Sequence, residues 1–248
     1  MKPVIVEVCS GSVQDCIYAE QAGANRIELN SGLYLGGLTP SIATLIEAKK
    51  QVQIPIVAMV RPRAGGFFYN KYEKETMFTD AKILMEYGVD GIVFGFLNED
   101  RSIDETNTKA LVDFCHKNQV EAIFHRAFDQ TPDAFKAIES LISCNVDRIL
   151  TSGQKESADQ GVDILEKLEK EYGTQIELCV GAGVNKENVQ MIIEKTKLNQ
   201  VHSSFKKWYL DPTTEGKDVS YRYSDEGDYE GVGVEKLSDF MEVTKDLR

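Results

Sequence analysis

Eight short β-rich runs recur along this chain, near 3–9 (PVIVEVC), 25–30 (NRIELN), 55–61 (PIVAMVR), 90–95 (DGIVFG), 121–126 (EAIFHR), 147–151 (DRILT), 176–181 (IELCVG) and 200–204 (QVHSS). They lie roughly 22 to 35 residues apart, which leaves room for one helix between each pair. A two-residue hairpin can join antiparallel strands, but parallel strands need a crossover of about a dozen residues or more. The spacing therefore predicts βαβ units and a parallel sheet. Eight units predict an α/β fold closed as a (β/α)8 TIM-type barrel, a single domain over 1–248. The other doubly wound solution, an open sheet, is disfavoured because no Gly-x-Gly-x-x-Gly follows the first run.

The intervening segments carry apolar stripes at helical spacing. Val13, Cys16 and Ile17 follow a capping candidate, Ser12, and Thr39-Pro40-Ser41 opens the next helix. Leu111, Phe114 and Cys115 share a face after Asp104, as do Phe135, Ile138, Leu141 and Ile142 after Thr131-Pro132-Asp133. Four helix-to-strand joints resemble one another: Gly23-Ala24-Asn25, Gly88-Val89-Asp90, Asn145-Val146-Asp147 and the softer Leu198-Asn199-Gln200. Each ends a helix on a small or left-handed-tolerant residue and enters a strand on a polar one. The segment 205–248 is atypical. Its stretch 206–231, rich in Tyr, Asp, Glu and Gly, reads as a long loop, and a helix near 233–246 would close the eighth unit.

Charge narrows the function classes. The chain has 40 acidic and 28 basic residues, a formal net charge of −12. That argues against nucleic acid as a partner, since binding it requires displacing counterions with a positive surface, and against docking on anionic membranes. No apolar run is long enough to span a bilayer, and no secretion signal is visible. Five scattered Cys, without a Cys-x-x-Cys, fit a reducing cytoplasm rather than a disulfide framework. The aromatic tail (Trp208, Tyr209, Tyr221, Tyr223, Tyr229) suits either a homo-oligomer contact or a cover for the barrel bottom.

Period-two alternation sorts the strand residues by face. Val4, Val6, Val8, Ile27 and Leu29 face the helices, while Glu7, Cys9, Arg26, Glu28 and Asn30 point into the barrel. Val57, Met59, Arg61 and Arg63 share a face, strand five ends in His125-Arg126 with Asp129 beyond, and strand eight carries His202. Buried charges need partners or a ligand, and in these barrels reactive groups collect at the C-terminal mouth. Two readings stay open. In one, Glu7, Glu28 and Arg61 form a structural ion-pair plug. In the other, Glu7, Glu28, His125 and Asp129 move protons while Arg61, Arg63 and Arg126 hold an anion. Gly181-Ala182-Gly183 and Ser203-Ser204, after strands seven and eight, are candidates to bind that anion through backbone N–H groups. The stretch 61–69 (RPRAGGFFY) reads as a lid or a packed loop. For a soft metal such as Cu(I), Cys9 is the thiol expected at the mouth, and Cys179 shares the parity of Gly181.

The strings EVC (7–9), GANRIEL (23–29), GGLTPS (36–41), MVRPRAGGFFY (59–69), DGIVFGFL (90–97), FHRAFD (124–129), DRILTSGQ (147–154), GAGVN (181–185) and HSS (202–204), in this order, resemble the CutC copper-homeostasis family. The resemblance runs from residue 3 to about 205 and leaves the tail aside. It implies a cytoplasmic (β/α)8 barrel concerned with copper, with a Cys after strand one and another after strand two as Cu(I) ligands. Here the first is Cys9, but the second position is Asn30, a poor substitute for a thiolate. The expected partner is therefore either a copper ion, with Cys179 or His125 as the replacement ligand, or a small phosphorylated or carboxylated metabolite turned over by acid–base chemistry.

Overall fold

Alternating faces and short crossovers produce a closed barrel. The computed structural model describes residues 3–245 and Leu247. Strands β1 (Ile5–Ser10), β2 (Arg26–Leu29), β3 (Ile56–Met59), β4 (Gly91–Phe94), β5 (Glu121–Phe124), β6 (Arg148–Thr151), β7 (Glu177–Val180) and β8 (Gln200–Ser203) pair in parallel in chain order, and β8 closes on β1. Helices α1 (Val13–Gln21), α2 (Ile42–Gln51), α3 (Lys71–Glu86), α4 (Glu105–Lys117), α5 (Ala134–Ser143), α6 (Val162–Tyr172), α7 (Val189–Thr196) and α8 (Val234–Lys245) follow the strands. No helix is long and apolar enough to cross a membrane among the described residues.

Local chemistry sets the helix starts. Ser12, Ser41, Asp104 and Asp133 accept hydrogen bonds from first-turn N–H groups, and Asn70 with Glu73 forms a capping box. The repeated joints do two jobs. Gly23, Gly88 and Asn145 take positive φ values of 87°, 78° and 60° and end their helices; at the fourth joint Lys197 (65°) does so, one residue ahead of the expected string. The polar residue that follows then fixes register. Asn25 Oδ1 accepts from Val6 N at 2.8 Å, Asp90 Oδ2 from Ile56 N at 2.7 Å, and Asp147 Oδ2 from Ala122 N at 2.7 Å. The residue entering β2, β4 or β6 thus satisfies an orphan donor on the odd strand before it, while Asn199, entering β8, donates to Pro3 O instead.

The outward faces, including Val6, Val8, Ile27, Leu29, Ile56, Ala58 and Val60, pack under the helices as the main core. The interior is split. On the β3–β5 side it holds Val57, Met59, Val93 and Ile123. The opposite half is charged. Arg148, only 2% exposed, reaches Glu121 Oε1 (2.8 Å) and Gln200 Oε1 (3.4 Å), and lies 3.7 Å from Glu7. Arg26 pairs with Glu7 and donates to Gln200 at 2.8 Å. A buried ion-pair cluster thus lies below the mouth, but its arginines are Arg26 and Arg148; of the expected trio of Glu7, Glu28 and Arg61 it contains only Glu7.

The tail departs from expectation. Its long loop is bracketed by two antiparallel strands, β9 (Lys206–Tyr209) and β10 (Tyr229–Val232). Asp15 on α1 anchors them, accepting Val232 N at 2.8 Å. Trp208 and Tyr223 pack on Tyr34, in the loop after β2, with ring centroids 6.4 and 5.0 Å away. The aromatic tail covers the rim of the mouth and not the barrel bottom.

Candidate functional site

A cavity of about 520 Å³ opens at the C-terminal strand ends. One wall is built by β8, β1 and β2. Cys9 pairs in register with Glu28, and Glu7 with His202, so alternation brings Cys9, Glu28 and His202 together. One donor atom from each lies within 4.8 Å of the others. His202 Nδ1 is 2.8 Å from Glu7 Oε1, and its Nε2 is 3.9 Å from Glu28 Oε2. Asn30 Nδ2 donates to Glu28 Oε2 at 2.8 Å and contacts Cys9 Sγ at 3.5 Å. A Cβ on Gly37 would stand 2.4 Å from Asn30 Oδ1, so only glycine fits there.

The electrostatics of this wall are coupled. Burial would raise the pKa of Glu7, but the His202 hydrogen bond and the charges of Arg26 and Arg148 outweigh it and hold the carboxyl far below its usual range. Burial would lower that of His202, yet Glu28 and Glu7 raise it. Burial raises Glu28, and His202 and Asn30 offset this only in part. Burial, then Glu28 and Glu7, push the Cys9 thiol well up, so it is protonated at neutral pH. A cation among these groups would reverse that balance by stabilising the thiolate and replacing a proton on the imidazole.

The facing wall, from β3 and β5, is cationic. Arg61, 6% exposed, spends Nη1 on the carbonyls of Leu35, Gly36 and Gly37 (3.3, 3.1 and 3.1 Å) and Nη2 on Gly65 O (2.6 Å). Its Nε has no partner, and no ion pair engages it among the described residues. His125 Nδ1 accepts from Ala127 N at 3.1 Å, which leaves the proton on Nε2, also unpartnered. Burial, then Arg61, lower its pKa to about 3, so the ring is neutral. Each orphaned buried donor costs about 1–3 kcal/mol.

Other predicted residues are placed differently. Arg126 lines the cavity and donates to Asp129 at 2.9 Å. Asp129 itself turns away, accepting from Thr151 Oγ1 (2.6 Å) and the N–H groups of Ser152 and Gln154, and organises the loop after β6. Arg63 is turned outward on Glu73 and the carbonyls of its own loop, which is thereby pinned. Gly183, Ser203 and Ser204 line the cavity; Gly181 sits beneath, where a Cβ would strike Leu150 at 2.8 Å. Cys179 is fully buried between the Glu7 and Arg26 charges, its pKa raised first by burial and then by Glu7. Neither Cys179 nor His125 joins Cys9 in the donor cluster among the described residues; His202 does. Sequence alone puts His202 on strand eight without assigning it a role. Its signal is parity: it stands opposite Glu7, an inward residue.

The profile of the CutC family matches residues 4–207. A family protein CutC of Treponema denticola is 42% identical over 242 residues, 96% of this chain and 98% of its own. The human copper homeostasis protein cutC homolog is 40% identical over 200 residues, 81% of this chain and 72% of its own. The crystal structure of CutC from Streptococcus agalactiae superposes with a TM-score of 0.76 at 30% identity, covering 81% of this chain and 98% of that one.

Proposed function

This chain belongs to the CutC family, and from the donor set at its mouth we propose that it binds one Cu(I) ion as cargo, in the service of copper homeostasis. The observation carrying this reading is the cluster of Cys9, Glu28 and His202 within 4.8 Å, with His202 Nδ1 held by Glu7. A carboxylate on one imidazole nitrogen orients the other toward a metal. Thiolate and imidazole suit Cu(I), and the thioether of Met59 lines the same cavity. Asn30, where the family places a second Cys, supports Glu28 and Cys9 instead, so His202 is the replacement soft ligand. A reducing cytoplasm suits this role, because Cys9 has to stay a thiol; it is free, like the other four cysteines. The test is an anaerobic Cu(I) titration against a competing chelator. Wild type should take one equivalent, Cys9→Ser should lose it, and Glu7→Gln should weaken it by about 10–100-fold. Unchanged affinity in Cys9→Ser, or no binding beyond the chelator in wild type, would sink the reading.

One observation favours a second reading, acid–base chemistry on a small molecule. Glu28 and His202 both have raised pKa values and face each other at 3.9 Å, a geometry in which one could hand a proton to the other.

A further inference from the structure

The cationic wall has a property that copper does not use. Arg61 Nε and His125 Nε2 are both buried N–H donors without acceptors, carried by side chains that line the same cavity. A single residue lies against both. The Phe67 ring centroid is 4.8 Å from that of His125, and Arg61 Cζ stands 5.1 Å from the same centroid. A ring face is at best a weak acceptor, so the two donors are covered but not satisfied. Folded proteins rarely leave such groups orphaned. We propose that Arg61 and His125 form a subsite for the carboxylate of a small organic acid, which enters when the Phe67 side chain turns off them.

Donor count selects this class. The subsite offers one full positive charge and two N–H groups, the complement of one carboxylate with two acceptor oxygens. His125 is neutral and adds no second charge; Arg126 and Lys206 line the cavity along with Glu28 and Glu230, so the selection rests on the two N–H donors, which match two carboxylate oxygens and leave a phosphate's remaining oxygens without a donor from this pair. The backbone around Phe67 is pinned, its carbonyls taken by Arg61, Arg63 and Leu97 N, so the movement is a turn of the side chain alone, and Phe67 is only half-buried. The Gly65 carbonyl is itself an acceptor for Arg61 at 2.6 Å, so a ligand on Arg61 is felt by this loop. The subsite stands whether or not copper binds opposite.

The experiment uses metal-free, full-length protein and follows its three histidines by long-range 1H–15N NMR while acetate, glycolate or inorganic phosphate is added. Carboxylates should shift the His125 Nε2–H signal and slow its exchange, saturably, with His116 unmoved. Phe67→Ala should bind the same acids several-fold more tightly by removing the cover, and Arg61→Gln should lose at least ten-fold. If Arg61→Gln fails to fold, His125→Phe should lose the calorimetric binding of acetate while Phe67→Ala keeps it. The proposal is overturned if neither acid moves His125 in wild type and Phe67→Ala. It is also overturned if phosphate binds more tightly than either acid.

Discussion

At the scale of single residues, the Glu7–His202–Glu28 row makes stability depend on pH in opposite senses. Glu7 has a depressed pKa, so its contribution is complete above the unfolded value near about 4.3 and is lost as pH falls through the folded value. His202 has a raised pKa, so its contribution is complete below about 6.5 and is lost as pH rises through the folded value. Glu28 is raised as well, so its contribution is complete below about 4.3 and is lost as pH rises through its folded value. Metal-free protein should therefore have a lower urea midpoint at about pH 8.5 than at about pH 6, and His202→Gln should flatten much of that slope. An equal slope in the variant would mean that His202 is not the group titrating. These residues were partly legible in the sequence. Alternation alone turns Glu7, Cys9, Glu28, Arg61 and His125 inward. It could not show that Glu7 would meet His202, 195 positions away, because that contact exists only once β8 closes on β1. Nor could it show that Asp129, inside the helical turn Arg126–Gln130, spends its oxygens on the next loop.

At the scale of elements, glycines separate two kinds of constraint. A Cβ on Gly161, at the start of α6, would lie 1.8 Å from the Ser152 carbonyl oxygen, a backbone atom that cannot step aside. Gly88 meets nothing within 4 Å but holds φ +78°. Gly161→Ala should lose about 3 kcal/mol by overpacking, and Gly88→Ala about 1 kcal/mol from left-handed strain, both measured by urea denaturation. The reverse order would contradict this account of the β6–α6 joint. The helix-to-strand joints were legible because each is local: one left-handed residue, then one polar residue pinning the neighbouring strand. The β9–β10 pairing was not. Its partners flank the 210–228 connection, far longer than a hairpin turn, so no local turn signal joins them. That hairpin brings Lys206, Glu230 and Gly231 to the cavity, so the tail that lies largely outside the family match still furnishes part of its wall.

At the scale of the whole barrel, the two ends divide stability from binding. The lower interior is closed by Arg148, Arg26 and Glu7 with Glu121 and Gln200 around them; the upper interior leaves Cys9, Glu28 and His202 facing an open cavity. Glu7 belongs to both, since one oxygen takes Arg26 and the other His202. Arg148 belongs to the lower end alone, being 2% exposed and absent from the cavity wall. Arg148→Met replaces its bulk but removes a buried cation from Glu7 and Glu121. Breaking such a cluster on one side is destabilising, here by at least about 2 kcal/mol because Glu121 can still reach water. For a chain of this size that is a fall in Tm of about 4–8 °C. The same variant should keep its one equivalent of Cu(I), since Arg26 still holds Glu7 in place beneath His202. Cys9→Ser should do the opposite, losing copper with a Tm within about 2 °C of wild type, because it removes no ion pair and little volume. Loss of copper in Arg148→Met at temperatures where it remains folded would show instead that the plug and the mouth act as one unit through Glu7, and that the charged interior is part of the site.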